Sequence, residues 1–250
     1  MRSSNASAER QRRTRALGGS SFGDAYLSGA FFGGAALAAC ALALTLAVTG
    51  PTGHAQDDGR GHGEAALDAL LTRFAAVPGM RCRFREEKRI ALLSAPVVSE
   101  GTLDYAAPGW LARRVTRPAP QLVLIGDGQL RMRDASGHVE TLDLAAQPVV
   151  RSFVDTFSLL FSGSRAALER TYRVQYAPDA GGTGWTLTLT PKVAPLDRFL
   201  AEIRFEGEAT TLRRMVMREV SSDVTTTTFE DVDVAHRFSD AERARVFSLR

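Results

Sequence analysis

The chain has 250 residues, with 31 basic and 28 acidic side chains, two cysteines and a net charge of +3. The excess sits in residues 1–55, which hold five Arg and two acids, whereas residues 56–250 hold 26 of each sign. A neutral body excludes the electrostatic footprint of a nucleic-acid binder, and a single cysteine after residue 55, Cys82, excludes an intramolecular disulfide there.

Arg10, Arg12, Arg13 and Arg15 precede an apolar run over residues 30–48, and Pro51, Gly53 and Ala55 follow it. Basic, apolar and small-residue parts in that order predict a secretory signal peptide over residues 1–55, cleaved after Ala55. The run is also long enough to span a bilayer, so an uncleaved inner-membrane anchor over 30–48 is the alternative. Cys40 lies inside this run and is followed by more apolar residues, which makes it a small filler rather than a lipid-anchoring cysteine. Periplasmic export follows from the leader. Residues 56–63 are rich in Gly, Asp and His and read as a linker. Residues 64–250 are long enough for one sizeable core and read as one domain.

Ala65, Leu67, Leu70, Leu71, Phe74 and Val77 fall largely on one helical face, so residues 64–77 are expected as an amphipathic helix ending at Pro78-Gly79. The period then becomes strand-like. Strands are expected near 80–92, 98–106, 110–117, 121–126, 129–134 and 138–144, divided by turn signals such as Pro108-Gly109, Pro118-Ala119-Pro120 and Asp127-Gly128. Residues 148–161 begin with Pro and end before Gly163, which predicts a helix. A second, shorter helix follows over 164–172, with Ser164 as its cap. Strands resume near 172–177, 184–190, 200–207, 211–219 and 224–234. The total is eleven strands, a mainly β (α+β) chain with one helix ahead of the sheet and two inside it.

Chemistry-bearing patterns are scarce. Three histidines remain after the leader, His62, His138 and His236, with no metal-ligand spacing among them. There is no Gly-x-Ser-x-Gly elbow, and the glycine run 181–184 precedes a strand rather than the helix a phosphate cradle needs. Asp231 with Asp233, and Glu206 with Glu208, read as solvated strand faces, as does the charged cluster Arg81, Arg83, Arg85, Lys88 and Arg89. No catalytic role and no cofactor are expected. Bulky apolar residues are plentiful instead. The helix 148–161 supplies Phe153, Phe157, Leu160 and Phe161, and the strands supply Trp110, Leu111, Leu122, Leu124, Met215 and Met217. Their spacing fits an ordinary core, or a lipid-binding cavity between sheet and helices in which methionine adapts to varied ligands.

Gly101-x-Leu103, Pro108-x-x-Leu111, Pro118 and Asp127-Gly128, in that order and spacing, resemble the outer-membrane lipoprotein carrier (LolA) family. Trp185-Thr-Leu187-Thr-Leu189-Thr-Pro191 is similar to a strand end of the same family, and Phe84-Arg85-Glu86-Glu87-Lys88 is a loose match to its opening strand. The likeness runs over most of residues 64–234 and marks a divergent LolA-like member. It implies an unclosed antiparallel barrel of about eleven strands under a helical lid. It also implies a monomeric periplasmic carrier that moves lipoprotein or other acylated lipid cargo from an inner-membrane donor to an outer-membrane acceptor. Ala107 stands where the principal carriers have an arginine that bonds to the lid, so their open–closed cycle does not transfer directly to this chain. A periplasmic or membrane-tethered sensor or scaffold that binds a protein partner through the same fold is the alternative.

Overall fold

The computed structural model describes residues 58–179, 181 and 183–249, and the leader lies outside them. Helix α1 (Asp58–Ala75) starts ahead of the expected Glu64, so most of the stretch read as linker is helical. Once a helical turn exists, adding residues costs little, and this carries the helix back through Gly63 and Gly61. Six strands follow: β1 (Gly79–Arg89), β2 (Val97–Ala106), β3 (Trp110–Arg117), β4 (Gln121–Gly126), β5 (Gln129–Arg133) and β6 (Val139–Asp143). Helices α2 (Pro148–Phe161) and α3 (Arg165–Thr171) then cross to β7 (Tyr172–Pro178). β8 (Gly184–Pro191), β9 (Leu200–Glu208), β10 (Thr211–Glu219) and β11 (Val224–Asp233) complete the sheet. A C-terminal helix, α4 (Asp240–Val246), was not expected from the sequence.

All eleven strands form one antiparallel sheet in the order β6-β5-β4-β3-β2-β1-β11-β10-β9-β8-β7. The first and last strands meet at its centre, where Phe84 pairs with Phe229 and Lys88 with Thr225. β6 and β7 do not pair, so the barrel is unclosed, and α2 and α3 bridge the gap. Local chemistry sets the hairpins. Asp127 and Gly128 both have positive φ, at 52° and 72°, which is the two-residue turn whose twist matches antiparallel strands.

Strand alternation divides the sheet into two faces. One face carries Cys82, Phe84, Leu103, Tyr105, Leu111, Leu187, Leu189, Ile203 and Phe205, packed beneath α1 and α2 as the main core. Burial pushes the Cys82 thiol up to about 12, leaving it an inert apolar filler. The outer face is ionic. Arg81, Arg83 and Arg85 reach Asp104, Asp231 and Glu100 at 2.6 Å each. The Arg83 and Arg85 pairs are largely exposed and add little stability, whereas Asp104 beneath Arg81 is buried.

A smaller apolar cluster interrupts the outer face. There Ala112, Leu122 and Leu124 pack beneath Val246 and Phe247 of the C-terminal segment, with Trp110 and Phe238 at its margin. The Trp110 ring lies so close over Gly126 that a Cβ there would collide with it, so glycine is required at that position. Ser239 caps α4 by accepting from the Glu242 amide, while the Glu242 carboxylate accepts from the Ser239 amide, which satisfies donors at both ends of the turn.

Candidate functional site

Five strands and one helix meet around a cavity on the covered face. β1 contributes Phe84 and Glu86, β2 Leu103, β3 Leu111 and Arg113, β10 Met215, β11 Thr227 and Phe229, and α2 Phe157. Residues two apart on one strand share a face, which is why Phe84 and Glu86, or Leu111 and Arg113, arrive together. The cavity measures about 40 Å³, room for a methyl-sized group and well short of the roughly 300 Å³ of a small-ligand pocket.

α2 closes it from above. Pro148 opens the helix at a position where its missing N–H costs nothing. Val150, Val154 and Leu160 are buried, while Phe153, Phe157, Leu159 and Phe161 are only partly buried against the core. Phe161 stacks on Tyr105 at 4.4 Å and meets Phe74 edge-on at 5.6 Å, and Phe157 meets Phe205 edge-on at 6.3 Å. A short hydrogen bond between the Thr156 and Tyr172 side chains ties the lid to the sheet. Burial pushes the Tyr172 phenol up to about 12, so this link stays protonated at neutral pH.

The floor is not uniformly apolar. Arg113 Nη2 donates to Glu86 Oε1 at 2.9 Å, and Thr227 Oγ1 and Ser99 Oγ donate to the same carboxylate at 3.2 and 3.4 Å. Burial raises the Glu86 carboxyl above its usual range, partly offset by Arg113 and the hydroxyls. Burial also lowers the Arg113 guanidinium, partly offset by Glu86. A guanidinium stays protonated in proteins, so Arg113 remains a cation and holds Glu86 as its counter-ion at neutral pH. The Arg113 guanidinium also lies over the Phe84 ring, 4.6 Å from its centre. One step further along β1, Lys88 reaches Glu219 at 2.9 Å, with its own side chain buried.

The residues expected to line a cavity divide by strand parity. Leu111, Phe157 and Met215 line it. Leu160 and Met217 are buried in the same core beyond its wall, and Phe153 and Phe161 pack against that core. Trp110, Leu122 and Leu124 do not join them. They belong to the cluster on the outer face beneath α4, because they sit one residue out of phase with Leu111, Val123 and Ile125. The charged cluster also needs correction. Arg81, Arg83 and Arg85 do face outward, but Glu86 and Lys88 alternate inward with Cys82 and Phe84. The missed lining residues Phe84, Glu86 and Arg113 were marked only by that parity. Ala107 packs against the main core, and its carbonyl accepts from Arg243 of α4 at 3.4 Å. The arginine that lines this cavity is Arg113, which stands opposite Leu103 in the β2–β3 ladder.

The acidic pairs are surface features, with Asp231 on Arg83, Glu206 near Arg204 and Arg214, and Glu208 near Arg213. Among the described residues no three His, Cys, Asp or Glu side chains converge on a common point, and no helix is long and apolar enough to cross a membrane.

The model of the family described as outer membrane lipoprotein carrier protein LolA-like matches residues 62–246. This chain belongs to that family. Several solved structures are similar to this LolA-like chain at low identity. A LolA superfamily protein from Nitrosomonas europaea is 10% identical, with a TM-score of 0.38 over 70% of this chain and 96% of its own. A putative outer membrane lipoprotein-sorting protein domain from Vibrio parahaemolyticus is 9% identical, at 0.41 over 71% and 96%. The MucA/MucB complex of Pseudomonas aeruginosa gives 14% identity and 0.42, over 70% of this LolA-like chain and 59% of that one. No curated protein matches the sequence.

Proposed function

We propose that this LolA-like protein is a non-catalytic periplasmic carrier that shelters the acyl chain of a lipoprotein or related lipid between membranes. The observation that supports this most is the lid. α2 presents a half-buried row of phenylalanines to an apolar sheet face and leaves an apolar gap beneath Phe157.

The cavity is too small for a chain, so loading requires α2 to move. Each methylene entering the core contributes about 0.8 kcal/mol, and a long acyl chain replaces the contacts that Phe153, Phe157 and Phe161 give up. Opening and filling therefore nearly cancel in exposed apolar area. Reversible handover follows, from an inner-membrane donor to an acceptor with a drier site, without a nucleotide. The free edges of β6 and β7 support a second reading, addition of a strand from a protein partner.

The test uses protein exported to the periplasm and displacement of bound nile red by methyl laurate. Phe157→Asp places a charge under the lid and is expected to weaken displacement at least roughly ten-fold, with Phe157→Ala intermediate. Unchanged affinity in both variants, with native circular dichroism, overturns the carrier reading at this site.

A further inference from the structure

We propose that Arg113, neutralised by Glu86, selects the chemical form of the cargo: it takes the carbonyl of an acyl ester or amide and turns away the carboxylate of a free fatty acid. This rests on the carrier reading and specifies what the cavity accepts.

Arg113 lines the cavity with its side chain only 9% exposed, and Glu86 beside it is 4% exposed. A guanidinium has five N–H donors. Among the described residues one hydrogen bond from it is made, by Nη2 to Glu86 Oε1. Arg113 lines the same apolar gap as Leu111, Phe157 and Met215, so the donors that Glu86 leaves unused belong to a side chain that borders it. Glu86 is differently placed, since one oxygen is taken by Arg113 and Ser99 and the other by Thr227. The site thus offers spare donors beside a carboxylate whose two oxygens are both engaged. On the same face of β11, the buried hydroxyl of Thr225 has no hydrogen-bond partner among the described residues, so hydrogen-bonding capacity extends along this band.

Charge decides which acceptor fits. The pair is already neutral, so a second carboxylate would lie against Glu86 in a poorly screened interior, where like charges repel strongly. An uncharged carbonyl oxygen meets no such repulsion and receives a charge-assisted hydrogen bond. The acyl chain then runs from this polar junction into the space opened when Phe157 lifts.

The experiment compares methyl laurate, laurate and dodecane as displacers of nile red from the exported protein at neutral pH. In the wild type, methyl laurate is expected to act at roughly ten-fold lower concentration than either of the others. Arg113→Met removes the advantage of the ester over dodecane. Glu86→Gln keeps an oxygen for Arg113 but leaves the cation uncompensated, and reverses the order in favour of laurate. This second variant is nearly isosteric and stands if Arg113→Met fails to fold. Equal displacement by ester and acid in the wild type, or no change of order in Glu86→Gln, overturns the selection by Arg113 and leaves the carrier reading intact. Failure of all three ligands to displace the dye from the wild type overturns the carrier reading, and this inference with it.

Discussion

Glu86 is surrounded by the groups that replace its water: one guanidinium and two hydroxyls. Its folded carboxyl nevertheless holds a proton to higher pH than the ordinary 4.5, because burial outweighs those partners. Folding therefore takes up a proton in the window above 4.5. The stabilisation is complete below that value and is lost as pH rises through the folded one. Urea midpoints of the wild type and Glu86→Gln should diverge accordingly, the wild type losing ground to the variant as pH rises above 4.5. Parallel profiles would mean that Glu86 is as well solvated in the folded chain as in the unfolded one. The sequence contained this residue but not its environment. In Phe84-Arg85-Glu86-Glu87-Lys88 four charges stand in a row, and the inward pair differs from the outward pair only by phase, which Cys82 and Phe84 supply.

At the level of elements, the hairpins were the legible part. β3, β4 and β10 have the limits that their Pro, Gly and Asp punctuation predicted, and so does α2 between Pro148 and Gly163. Facing was legible only where apolar and polar residues alternate, as in Trp185-Thr-Leu187-Thr-Leu189. Leu122-Val123-Leu124-Ile125 is apolar on both sides because both faces of β4 are covered, so no alternation could assign Leu122 and Leu124 to the outer cluster. α4 escaped notice because seven residues are too few to establish a helical period, although Ser239 and Glu242 already spelled its cap. The clasp it forms is separable from the cavity. Phe247→Ala should cost about 3 kcal/mol and shift Trp110 emission to longer wavelength, with methyl laurate affinity unchanged. Loss of ligand binding in this variant would show that the two faces of the sheet are coupled.

For the molecule as a whole, eleven strands and three helices were expected from the sequence pattern, and the resemblance supplied the unclosed form and the lid. The opening lies between β6 and β7, the strands that the two helices read from the sequence already separated. Edge strands lack one ladder, so protection should rise from β6 and β7 toward β1 and β11 in native-state hydrogen exchange. Uniform protection across the sheet would indicate that α2 and α3 restrain the edges as firmly as a closed ladder.

The central seam has a consequence for biogenesis. Each wing, β2 to β6 and β7 to β10, is a run of consecutive hairpins that forms from nearby residues, whereas the β1–β11 ladder joins positions as distant as Arg81 and Asp233. Such a closure is slow and cannot begin until the last strand has emerged. The two half-sheets therefore lack their joint until the final strand is available, and the sheet gains its centre last.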